Sequence, residues 1–140
     1  MNTEKTITLC GKEVKILYCT ATENGFEELS EKSISVFLPT FGEDEDGKPI
    51  ITEPAKANIG DFVKLAIAGI IAAYAKEDQE PPVSTKDILF NTKPAERNEL
   101  VTAIVSVRNE WYEVPKVLEE SIKAEQENLQ DGKGETPKNA

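Results

Sequence analysis

From Lys5 to Tyr18 the apolar residues Ile7, Leu9, Val14, Ile16 and Tyr18 alternate with mostly polar ones on either side of Gly11-Lys12. A period of two with a glycine at its centre predicts two strands joined by a short turn. With Cys10 opposite Glu13, Leu9 faces Val14, Ile7 faces Ile16 and Lys5 faces Tyr18, so one face of the hairpin is apolar. Thr20-x-x-Glu23 follows directly and predicts a capping box at the head of a helix that carries Phe26, Leu29 and Ser30 on one side.

The pattern then loosens. Residues 35–57 hold Pro39, Pro49 and Pro54 around the acidic run Glu43-Asp44-Glu45-Asp46-Gly47, with Val36, Phe37 and Leu38 before it and Ile50 and Ile51 after it. This predicts an acidic loop insertion with short strand character, as an irregular second hairpin or an extended excursion. Asn58-x-x-Asp61 marks the start of a helix through Phe62 to Tyr74, ending in the charged residues from Lys76 to Glu80. Only eleven residues separate Lys64 from Lys76, whereas a bilayer requires about 20. The segment is therefore read as a buried central helix whose Ala66, Ala68, Gly69, Ala72 and Ala73 admit close neighbours.

Pro81-Pro82 interrupts the chain, and Ser84-x-x-Asp87 caps a short helix bearing Ile88, Leu89 and Phe90. Pro94 suits the first turn of another helix. There Leu100, Ile104, Val107 and Trp111 form an amphipathic stripe, widened by Val101 and Val105, that ends before Pro115. The predicted fold class is α+β: an N-terminal β-hairpin packed on a mostly α-helical domain spanning 1–115. Residues 116–140 are predicted to form a short helix and a flexible acidic tail, disordered after about residue 128, because Ile122 and Leu129 alone bury too little surface to offset ordering entropy.

Charge narrows the function. The chain of 140 residues carries a net charge of -10, and the acidic excess is greatest between residues 21 and 57. No segment supplies the basic stripe that nucleic acid or an anionic membrane requires. The N-terminal Met-Asn-Thr-Glu-Lys lacks the apolar core of a signal peptide, which leads to a cytoplasmic expectation. In the register above Cys10 and Cys19 lie too far apart for a disulfide and are read as small, partly buried residues.

Chemistry narrows it further. Histidine is absent, so the commonest general base and transition-metal ligand is missing, and neither a phosphate-binding nor a dinucleotide-binding glycine motif occurs. The expectation is a protein that is not an enzyme and needs no cofactor or metal. Counted from Gly42, Asp44, Asp46, Gly47 and Glu53 take the third, fifth, sixth and twelfth places of a calcium-loop spacing, but the first carboxylate is missing and Pro49 interrupts it. A solvated turn around Asp46-Gly47 is the simpler reading. Trp111 completes the core stripe and is expected to pack inside. Tyr112 lies off that stripe and is an exposed partner-binding candidate, joined by Val114, Val117, Leu118 and Ile122. That patch has two open roles: closing over the domain or binding another chain.

The order of these pieces resembles the bacteriophage (siphophage-type) tail assembly chaperone family. The resemblance covers Lys5 to about Pro115. Its pieces are the Thr-Ile-Thr-Leu-x-Gly-Lys-Glu hairpin, Phe26-Glu27-Glu28-Leu29 with Lys32-Ser33-Ile34, the alanine-rich apolar helix, then Asp87-Ile88-Leu89 and a helix ending at Trp111. It implies a non-enzymatic protein of the bacterial host cytoplasm that binds the tape measure protein, helps recruit tail tube protein subunits, and is absent from the mature virion. Homo-oligomer formation stays open. The competing expectations are a structural phage tail or head-tail connector component, and a cytoplasmic acidic adaptor unrelated to phage.

Overall fold

The computed structural model describes residues 3–113. Among these the fold is α+β: two antiparallel hairpins and four helices. The elements are β1 (Glu4–Leu9), β2 (Lys12–Leu17), α1 (Thr20–Ser30), a 3₁₀ turn (Ile34–Phe37), β3 (Thr40–Glu43), β4 (Pro49–Glu53), α2 (Ile59–Ala75), α3 (Thr85–Asn91) and α4 (Pro94–Trp111). The expected short helix and acidic tail of 116–140 lie outside the described residues.

The first hairpin is tighter than its sequence suggested. Leu9 pairs with Lys12, Ile7 with Val14 and Lys5 with Ile16, so the turn is Cys10-Gly11 rather than Gly11-Lys12. Both turn residues have positive φ, 51° and 75°, the mirror-image geometry that matches strand twist and favours glycine at the second place. Centring the turn on Gly11-Lys12 would have put a lysine there. The slip is even, so no side chain changes face, and Ile7, Leu9, Val14 and Ile16 are all buried.

Helix α1 also starts one residue early. Its N-cap is Cys19, not Thr20, and Thr22 replaces Glu23 as the capping partner. The buried Thr22 hydroxyl accepts the Cys19 N–H at 3.2 Å and donates to the Leu17 carbonyl at 2.7 Å, locking the end of β2 to the helix start. Phe26 is fully buried, while Leu29 turns toward solvent. Phe26 meets Phe37 at a tilt and Phe37 meets Phe62 edge-on, each at 4.9 Å between ring centroids.

Helix α2 is the central element, as its apolar circumference requires. Asn58 Oδ1 accepts the Asp61 N–H at 2.9 Å, and Asp61 Oδ2 accepts the Asn58 N–H at 3.0 Å, completing the expected capping box. The Lys32 ammonium lies 2.9 Å from Asp61 Oδ1, which gives this buried carboxylate a cationic partner. Small residues let three elements close on the helix. A Cβ on Gly25 of α1 would meet Ala68 Cβ at 3.2 Å, and one on Gly69 would meet Ile16 of β2 at 3.0 Å and Ile104 of α4 at 3.1 Å. No helix among the described residues is long and apolar enough to cross a membrane.

Helix α4 begins with Pro94 in its first turn. Glu96 accepts the N–H groups of Lys93 (3.0 Å) and Cys10 (2.9 Å), tying this helix to the tip of the first hairpin. These two charge-assisted bonds lower the Glu96 pKa. Leu100, Val101, Ile104, Val105 and Val107 are buried against the hairpin and α2. The first hairpin therefore packs its apolar face on helices α2 and α4.

Candidate binding surfaces

Among the described residues, three places present apolar or aromatic side chains that the core does not absorb. The first is the C-terminal end of α4. Trp111 is 36% exposed rather than buried, because the helix ends there and the stripe runs past its partners. Its ring stands 6.2 Å from that of Tyr18. Tyr112 is exposed, as expected, and lies 6.1 Å from Tyr18 in an edge-on arrangement.

The hydroxyls of Tyr18 and Tyr112 both donate to Glu23 Oε2, Tyr18 at 2.7 Å. The Arg108 guanidinium covers the Tyr112 ring at 5.1 Å. Burial first, and the bond to Glu23 second, push the Tyr18 phenol far above its ordinary value. Glu23, expected to cap α1, instead gathers two tyrosines. Of the sequence-derived candidates only Tyr112 is placed; Val114, Val117, Leu118 and Ile122 lie outside the described residues.

The second place is a groove between α2 and the segment that leads into α3. It has a volume of about 380 Å³ and is lined by Ile67, Ile70, Ile71, Ala75, Val83 and Ile88, with Gln79, Glu80 and Thr85 among its polar lining. Ile88 is buried in its wall. Ile88, Leu89 and Phe90 are consecutive, and successive helical residues point about 100° apart. All three cannot face the core of a seven-residue helix. Leu89 is accordingly exposed, and Phe90 is 77% exposed. The run of three apolar residues was the available signal for this surface, though nothing in it specified which side chain would turn outward.

The third place is the second hairpin. Phe41 pairs with Ile51, Gly42 with Ile50 and Glu43 with Pro49, and a bulge separates these rungs from the pair Thr40–Glu53. Every residue of β4 is exposed, and so are Leu38 and Phe41. The acidic run forms the connecting turn. Asp44 Oδ1 accepts the N–H groups of Asp46 (2.8 Å) and Lys48 (2.9 Å), and Gly47 supplies the positive φ. That is the solvated turn expected around Asp46-Gly47, with Glu53 removed to the far strand beside Thr40.

Among the described residues no three cysteine, aspartate or glutamate side chains cluster so as to hold a metal ion. Cys10 and Cys19 are free thiols. Compared with known proteins, the chain matches no family model, no curated protein and no solved structure.

Proposed function

We propose that this protein is a non-enzymatic assembly chaperone of the phage-tail type, which holds apolar helical segments of a tape measure protein and helps recruit tail tube subunits before leaving the finished particle. The observation that carries the reading is the largely aliphatic groove beside α2, with Ile71 exposed in its lining, on a strongly acidic body. Such a combination offers a contact for an amphipathic helix while keeping the complex soluble through charge. The pattern that resembles tail assembly chaperones supplies the identity of the partner.

The test is co-expression with a tape measure protein encoded beside this chain. Soluble, co-purifying tape measure protein is the expected result, together with absence of the chain from mature virions. A stoichiometric presence in purified particles would replace this reading by that of a structural tail or connector component. Charged replacements at Leu118 and Ile122 examine the sequence-derived patch of Val114, Val117, Leu118 and Ile122 in the same assay. A loss of capture confined to those variants would move the contact away from the groove.

A further inference from the structure

We infer that the second hairpin is a docking site for an extended segment of another protein in which lysine or arginine stands two and four residues to one side of an apolar side chain. This goes beyond the chaperone reading, which rests on the groove at α2 and α3.

The pairing of Phe41 with Ile51 places these side chains together on one face of the hairpin, and they are 64% and 52% exposed. Glu43 lies two residues from Phe41 and so shares that face. Thr52 is the extra residue of the bulge, since Thr40 pairs with Glu53 while Phe41 pairs with Ile51. The bulge shifts the alternation by one and sends Glu53 to the opposite face with Thr40, whose hydroxyl reaches the Glu53 carboxylate at 3.4 Å. The Phe41–Ile51 face is therefore polar in one direction: an apolar pair, then Glu43, then the exposed turn of Asp44, Glu45 and Asp46.

Charge selects the occupant. A second copy of this chain would bring two acidic turns and two bodies of net charge -10 together, whereas a basic segment relieves the same field. Geometry selects the spacing. Side chains two apart on a strand are separated by about 7 Å and share a face, so a lysine two places beyond the apolar residue reaches Glu43, and a second two places further reaches the turn. A two-stranded hairpin is only marginally stable by itself, and an extended partner would also cover the exposed aromatic ring.

The full chain, labelled with nitrogen-15, is titrated with the peptide Thr-Val-Thr-Lys-Thr-Lys-Thr, and separately with its isomer Thr-Val-Lys-Thr-Lys-Thr-Thr, which puts both lysines on the opposite face from valine. Saturable amide shifts at Phe41, Glu43 and Ile51 are expected for the first peptide, with the isomer binding about tenfold more weakly. Phe41→Ser should weaken the first peptide by a similar factor. Glu43→Lys combined with Glu45→Lys should transfer the preference to the peptide carrying glutamate in place of lysine. These positions are exposed, so circular dichroism should be unchanged in the variants. Equal binding of the two isomers, shifts confined to other surfaces, or no saturable binding would overturn the inference. So would hairpin shifts that grow with the concentration of the chain alone and vanish in Phe41→Ser, which would make a second copy the occupant.

Discussion

Gly69 of α2 lies directly against the backbone of β2: a Cβ at this position would sit 3.0 Å from the carbonyl oxygen of Leu17. Replacing it by alanine sets two effects against each other. Alanine in a helix interior gains about 0.5–1 kcal/mol over glycine, but inserting a methyl group into a filled core costs typically about 1–3 kcal/mol. Of the three atoms it meets, the Ile104 methyl can give way and the Leu17 carbonyl, held by the Thr22 hydroxyl, cannot. Gly69→Ala should therefore lower the urea midpoint. A Cβ at Gly25 would meet the Cβ of Ala68 at 3.2 Å, an atom fixed to the α2 backbone, so Gly25→Ala should also lower the midpoint, by less than Gly69→Ala because it meets one residue rather than three.

Ile104 tests the stripe of α4. It is fully buried and touches the close approach at Gly69. Ile104→Ala should leave a cavity and cost on the order of 2–5 kcal/mol. Denaturant stability equal to the parent would remove α4 from the core.

How much of this was written in the sequence differs from element to element. The Asn58/Asp61 and Ser84/Asp87 caps were legible because their side chains act locally, three residues apart. The Thr20/Glu23 box fitted the same pattern and was displaced by tertiary demand: the Leu17 carbonyl takes the Thr22 hydroxyl, and Tyr18 and Tyr112 take Glu23. The hairpin face was legible while its register was not, since alternation fixes sides but only turn geometry fixes rungs. Trp111 obeys the helical period and still lies at the surface, because periodicity does not say where the opposing elements stop. The groove beside α3 could not be located from spacing at all, as it requires α2 and the segment around Val83 to be placed together.

The tyrosine pair makes stability sensitive to alkali. Burial and the bond to Glu23 raise the Tyr18 pKa in the folded chain, from an ordinary value of 10.0. Above that value the unfolded chain releases the proton while the folded chain keeps it, so the unfolded state gains and stability falls as the pH rises. The contribution is fully present below the ordinary tyrosine pKa. In Tyr18→Phe the fall should be shallower. Phenolate absorbance, compared between the wild type and Tyr18→Phe, should show Tyr18 ionising only as the chain unfolds; a Tyr18 phenolate in the folded chain would contradict the buried bond.

The groove makes the functional prediction. Ile71 of α2 lines the groove and is 41% exposed. It lies outside the buried core, so Ile71→Glu should leave melting and circular dichroism within the small range of surface substitutions, about 0.5 kcal/mol. An apolar helix docked there would meet a buried, unpaired carboxylate, and charging an anchor position typically costs about 2 kcal/mol or more of binding. Co-purification of the tape measure protein should then fall by well over tenfold, to the level of the tape measure protein expressed alone. Phe90 stands about 200° round α3 from Ile88, away from the groove, so Phe90→Glu should leave capture unchanged. Tyr112→Ser provides the internal comparison at the other end of the molecule. If it abolishes capture while Ile71→Glu does not, the contact belongs to the Tyr18–Glu23–Tyr112 corner. If all of these folded variants capture the partner as well as the parent, neither surface is the docking site.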